Sequence, residues 1–249
     1  MSEPTILFEN EDVVVIDKPA GLLVHEDGTK TETTVVDWFL KKYPDARGVG
    51  EPRVGKDGKE IERSGIVHRL DKDTSGVMVL CKNQPAFLHI KQQFQDRLIK
   101  KEYLALVYGH FKETWGTIDR PIGRNAKDWR LRSAERGAKG TLREAVTNWE
   151  CLSNGEFQGE KFAHVKLMPQ TGRMHQLRVH LKAIDHPIVG DVLYAGKRLE
   201  QSNNVGLTRL ALHAHELTLV LPSDEEKTFT ALLPKDIELA ISTLKAGEQ

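Results

Sequence analysis

The stretch Lys101–Gly109, Lys-Glu-Tyr-Leu-Ala-Leu-Val-Tyr-Gly, constrains the fold more than any other part of the chain. A period of two puts Tyr103, Ala105 and Val107 on one face and Leu104, Leu106 and Tyr108 on the other. A strand apolar on both faces has no side for solvent, so it belongs inside a covered sheet. The phenol of Tyr103, at its start, can face a cleft or make a hydrogen bond in the core. Further strands are expected at Thr5–Phe8, Val13–Asp17, Val77–Cys81, Arg143–Leu152, Ala163–Met168, Leu210–His215, Leu217–Leu221 and Phe229–Leu233.

Helical spacing is confined to four places. Thr33 or Thr34 can cap a helix to about Tyr43, with Val35, Trp38, Phe39 and Lys42 on one side. Gln84–Ile99 carries Phe87, Ile90, Phe94 and Leu98 on one face, and Arg173–Ile184 carries Met174, Leu177, Leu181 and Ile184. A closing helix is expected from Pro234 to Leu244. Strands outnumber helices and several are hairpin-linked, which predicts an α+β fold on a large mixed sheet. Pro44–Arg63, rich in glycine and charge and without periodicity, is expected to be a mobile surface insertion. A single domain over 1–249 is expected.

The chain has 249 residues and no apolar run long enough for a membrane helix. Through Asp12 there are four acids and no Lys or Arg, so neither a signal nor a transit peptide is expected there. Cys81 and Cys151, far apart in strand-like sequence, suit buried thiols of a reducing compartment, and a cytoplasmic location is expected. Net charge is zero, yet Arg120–Arg143 holds eight Lys or Arg against Asp128 and Glu135. Pro222–Gln249 has the opposite sign, six acids against three bases. Such asymmetry lets a neutral protein hold a polyanion on one face.

Chemistry concentrates in Ile66–Met78. One apolar run ends at Val67 and another begins at Val77; His68 to Gly76 between them is polar except for Leu70. Asp73-Thr74-Ser75-Gly76 has turn chemistry, so Asp73 is expected to serve local structure and Asp71 is the carboxylate with no local task. Arg178 borders the buried stripe of its helix, and a buried guanidinium needs a carboxylate or phosphate partner. His175 and His180, five apart, do not share a helix face, and His213 and His215 have no accompanying ligand set, so no metal site is expected. Nucleotide-binding glycine loops and a Gly-x-Ser-x-Gly nucleophile are absent. What remains suits work on a base in RNA. An ionised Asp can attack a sugar or base, an arginine keeps it ionised, a tyrosine stacks on a base, and a basic face holds phosphates.

His68-Arg69-Leu70-Asp71-Lys72-Asp73-Thr74-Ser75-Gly76 resembles the signature of the RluA-type pseudouridine synthases. Lys18-Pro19-Ala20-Gly21-Leu22 with Val24-His25 is similar to that family's first motif, and Lys101-x-Tyr103-x-Ala105-x-Val107-x-Gly109 to its tyrosine motif. Thr171–His180, followed by His186-Pro187 and Gly190-Asp191, resembles its arginine motif. The four motifs stand in the family's order from about Phe8 to His215. Asp17, Glu26 and Met174 depart from the commoner residues.

The resemblance implies the pseudouridine synthase catalytic fold, mostly antiparallel, with a central active-site cleft and no N-terminal accessory RNA-binding domain. It implies Asp71 as the catalytic aspartate, Tyr103 against the target base, and Arg178 as the salt-bridge partner of Asp71. Arg69 is implied to enter the RNA stack where uridine leaves; Leu70, Arg173 and Leu177 are further substrate contacts, Arg173 toward a phosphate or at the helix start. Asp71 attacks the ribose carbon, attacks the base, or removes a ribose proton; the residues leave all three open. The implied enzyme isomerises uridine in large-subunit ribosomal RNA as a monomer, with no cofactor, metal or membrane. The alternatives are transfer RNA as substrate, or a non-catalytic RNA-binding or ribosome-assembly factor.

Overall fold

The structure, a computed structural model, describes residues 2–26, 32–51, 53–54, 58, 60–128, 131–198 and 204–246. In chain order the strands are β1 (Thr5–Glu9), β2 (Val13–Lys18), β3 (Arg53–Val54), β4 (Glu60–Ile61), β5 (Ser75–Cys81), β6 (Lys100–Tyr108), β7 (Trp115–Asp119) and β8 (Ile122–Arg124). They continue with β9 (Arg132–Ser133), β10 (Lys139–Arg143), β11 (Val146–Phe157), β12 (Glu160–Pro169), β13 (Leu212–Val220), β14 (Glu226–Thr230) and β15 (Lys245–Ala246). The helices are α1 (Val35–Lys42), α2 (Gln84–Gln95), α3 (Gln176–Ala183) and α4 (Lys235–Ser242). Most strands belong to one large mixed sheet, so the fold is α+β as expected. Two compact units are present: Met1–Lys101 with Ala214–Leu232, and Glu102–His213 with Leu233–Gln249.

In the first unit the strand order is β1-β2-β5-β13, with β14 on β13. Val13–Ile16 and all of β5 are buried, and antiparallel register sets Val13 against Cys81 and Lys18 against Gly76. Gly76 corrects one expectation: it does not close a turn but lies inside β5 with φ +119°. A Cβ there would sit 2.1 Å from the Ala214 carbonyl oxygen, so glycine is required by the approach of a neighbouring backbone.

The helices begin and end where local chemistry dictates. Thr34 caps α1 in a reciprocal box with Asp37. Its buried residues are Val35, Val36, Phe39 and Leu40, while Lys42 is exposed, so the expected stripe is displaced. Helix α2 starts at an Asn83 cap and stops at Gln95; Arg97 is left-handed (φ 59°), which turns Leu98 out to solvent. Within 44–63 the described residues carry a 3-10 turn at Pro44–Ala46 and the β3–β4 ladder, whereas 52, 55–57 and 59 lie outside the described residues.

In the second unit the order is β6-β12-β11-β15, with β7 on β11. Leu104 to Tyr108 are all buried, as the two-faced pattern of β6 requires. Antiparallel β12 sets Leu167 against Tyr103 and Ala163 against Val107, and on the other edge Leu106 N donates to Ala211 O (3.1 Å). Ala105 to Tyr108, Ala163, Leu167 and Ala211 join Leu177, Leu181 and Ile188 in the unit's core. The basic stretch forms a separate three-stranded sheet, β10-β8-β9, which the residue pattern did not predict; 129 and 130 in it lie outside the described residues. Among the described residues no helix is long and apolar enough to cross a membrane.

Candidate active site

Asp71 sits, half-buried, in a loop of the first unit that is tied down by its backbone. The Lys72 carbonyl accepts from Lys18 Nζ (3.0 Å) and from Gly21 N (2.9 Å). Lys18 is fully buried, and its ammonium also donates to the carbonyls of Pro19 (2.9 Å) and Leu22 (2.8 Å). A buried ammonium must fill its donor positions, so the segment Lys18–Leu22 and the Asp71 loop are drawn onto one point. The turn after Asp71 is closed by its own carbonyl, which accepts from Thr74 N (3.2 Å). Asp73 is exposed and makes no side-chain hydrogen bond among the described residues, so its expected structural task is taken by the backbone.

The loop's start is pinned by His68. Its Nε2 accepts from Val79 N (3.1 Å), and its ring stacks on Phe94 at 4.8 Å between centroids. Burial, with the Lys101 ammonium second, pushes its pKa down to about 3, so the ring is neutral and serves as an acceptor. Arg69 is exposed, and its Nη1 donates to His25 Nε2 (3.2 Å). The His25 Nδ1–H donates to Glu26 O (2.7 Å), which sets the tautomer that leaves Nε2 as acceptor. Leu70 is buried.

In the second unit Arg178 is 6% exposed on α3, where a guanidinium requires compensation. Asp191, 1% exposed, supplies it: Nε donates to Oδ2 (2.8 Å) and Nη2 to Oδ1 (2.7 Å). Asp191 Oδ1 also accepts from Leu193 N (3.0 Å) and Tyr194 N (3.1 Å). This fork uses one edge of the guanidinium and leaves Nη1 outside it. The Tyr194 ring lies under the guanidinium (5.0 Å), and its hydroxyl accepts from Arg132 N (3.1 Å) and lies 2.7 Å from His175 Nδ1. Gly190 must be glycine, because a Cβ at its φ of +73° would stand 2.1 Å from Arg209 O.

Helix α3 starts three residues later than its periodicity suggests, after left-handed His175 (φ 57°). Buried Gln176 explains this. Its Oε1 accepts from Thr171 Oγ1 (2.7 Å) and Arg173 N (3.0 Å), and its Nε2 donates to Val146 O and Thr147 Oγ1, both 3.0 Å. Thr147 Oγ1 passes the chain on to His180 Nδ1 (2.9 Å), and His180 Nε2–H donates to Arg120 O (2.9 Å). Burial lowers the His180 pKa, which suits that neutral role. Arg173 uses Nε on Glu144 O (2.9 Å). Leu177 is buried in the core, and Tyr103, half-buried, packs against the same cluster.

Residues 12–183 match the family model of the RNA pseudouridylate synthases. The chain belongs to this family. Among similar proteins, an uncharacterized RNA pseudouridine synthase of Synechocystis sp. is 39% identical over 96% of this chain and 68% of its own length. The ribosomal large subunit pseudouridine synthase D of Buchnera aphidicola is 34% identical over 94% of this chain and 71% of its own. Among solved structures, human RNA Pseudouridylate Synthase Domain Containing 1 superposes with a TM-score of 0.76 at 26% identity, over 99% of this chain and 91% of that one. This RNA pseudouridine synthase is therefore an isomerase acting on RNA.

Three positioning groups escaped the residue-level reading. Lys18, Gln176 and Asp191 stood within the quoted motifs, with no role of their own assigned to them. The available signals were the motif partners Gly190-Asp191 and the rule that a buried arginine seeks a carboxylate. Among the described residues no group of three or more His, Cys, Asp or Glu is arranged to hold a metal ion.

Proposed function

We propose that the enzyme converts uridine to pseudouridine in large-subunit ribosomal RNA through Asp71, with Tyr103 against the uracil and Arg178 as charge partner to the reacting carboxylate. The reaction breaks the bond from ribose C1′ to uracil N1 and joins C1′ to C5. The C5 proton is lost and N1 gains one, so no oxidant, energy source or metal is called for. Attack on the ribose, attack on the base and removal of a ribose proton all start from ionised Asp71. We further propose that Arg69, Leu70, Arg173 and Leu177 shape the RNA site, and that the enzyme works as a cytoplasmic monomer.

The observation that carries this reading is the clamp on Lys72. Two donors on the neighbouring carbonyl, Lys18 Nζ and Gly21 N, hold the backbone beside Asp71 still. Positioning is the main demand of a reaction in which a detached uracil must turn and rejoin before it escapes. Ribosomal RNA is favoured by the relatives named as ribosomal large subunit pseudouridine synthase D. Carbodiimide mapping with primer extension, in cells with and without the gene, identifies the modified uridine. The purified enzyme with EDTA present should form pseudouridine in that RNA, and Asp71→Asn should bind the RNA with no turnover. A turnover-competent Asp71→Asn would remove Asp71 from the mechanism.

A further inference from the structure

We propose that the three-stranded sheet β8–β10 is a phosphate-binding platform that holds the backbone of the RNA substrate beside Arg178; this rests on the RNA reading above. The register sets Lys139 opposite Arg124, and Arg124 opposite Arg132. Directly opposed residues share a face, so three cations stand in one row across three strands. Like charges placed opposite one another destabilise a sheet. Among the described residues no carboxylate pairs with Arg124, Lys139 or Arg143; Glu135 is turned to Lys182 (3.5 Å). Arg124, Lys139 and Arg143, the last opposite Ile122 beside the row, are exposed, while Arg132 is half-buried. An anion laid along the row would relieve the repulsion, and a polyanion supplies several at once.

The platform is fastened to the arginine site by three contacts. Ile122, two residues before Arg124 and so on the same face, packs with Val179 and Tyr194. The backbone of Arg132 in β9 donates to the Tyr194 hydroxyl, whose ring lies under Arg178. Arg173 ties the residue after Arg143 through Glu144 O. A strand of RNA on the row is thereby delivered to the helix that carries Arg178.

The test compares Arg124→Gln/Lys139→Gln/Arg143→Gln with a control triple, Lys41→Gln/Lys42→Gln/Lys100→Gln, in filter binding to a large-subunit ribosomal RNA transcript between 50 and 200 mM KCl. The platform triple should reduce the slope of log affinity against log salt by about 2–3, one per lost phosphate contact. At fixed salt it should raise KM about tenfold or more while kcat stays within about twofold. Without RNA its Tm should equal or exceed that of the wild type, because repulsion has been removed. An unchanged slope and KM, or an equal loss in the control triple, would overturn the platform. Wild-type protein that binds the transcript yet forms no pseudouridine would refute the proposed function and leave the platform standing.

Discussion

The Asp71 loop in the first unit and the Arg178 site in the second are held by opposite means. Around Asp71 the fixed atoms are backbone: one buried ammonium, Lys18, gathers three carbonyls, among them that of Lys72 beside the carboxylate. Around Arg178 the functional side chain is itself the object held, by both oxygens of a buried carboxylate and by an aromatic ring. A loop held through carbonyls can lose its holder and sag while the rest of the unit stays folded. A buried guanidinium that loses its carboxylate becomes an uncompensated charge in the core. The first arrangement puts function at risk before stability, and the second puts stability at risk first.

The largest effect expected from this contrast is at Asp191. Asp191→Ala should lower unfolding free energy by about 3–5 kcal/mol in urea titration, because Arg178 is left buried without its fork. Arg178→Met with Asp191→Leu should recover most of that stability but no activity. Wild-type stability in Asp191→Ala would show that other groups hold the guanidinium. Lys18→Met should cost less, about 1–3 kcal/mol, since carbonyls lose donors but no charge is stranded. Its signature is a kcat that falls far more than RNA affinity does. Equal losses in kcat and affinity would mean that Lys18 supports the whole unit and not the loop.

The smallest effect is a pH dependence at His68. The native ring titrates at about 3 and an unperturbed histidine at 6.5, so below 6.5 the unfolded chain binds a proton that the native ring refuses. The stability contributed by the neutral ring is complete above 6.5 and is lost as pH falls from there toward 3. His68→Gln keeps an acceptor for Val79 N but cannot titrate. Its unfolding free energy should depend on pH between 6.5 and 4 with a slope smaller by up to one proton. Identical slopes would show that the native loop accommodates a charged imidazole.

Much of this was legible in advance. The two-faced apolar strand at Lys101–Gly109, the cap at Thr34 and the motif carrying Asp71 all depend on neighbours a few residues away. The failures share a cause. Gly76 looked like a turn residue because Ser and Thr precede it, but a strand from beyond residue 210 demands its missing Cβ. Helix α3 looked longer because Arg173–His175 fit its period, but Gln176 spends its amide on Val146, Thr147, Thr171 and Arg173 and forces the start. The β8–β10 sheet has too few apolar positions per strand to show an alternating pattern.

The sequence by itself therefore determined the family and the α+β class, since both follow from residue type and short spacing. Only the tertiary structure decided who satisfies the buried charges. Lys18 reaches Lys72 O, 54 positions away, beyond its local acceptors Pro19 O and Leu22 O, and Arg178 is matched by Asp191 across a loop. Burial makes such matching obligatory, but nothing in local spacing names the partner, because several chain segments compete to supply it and packing chooses among them.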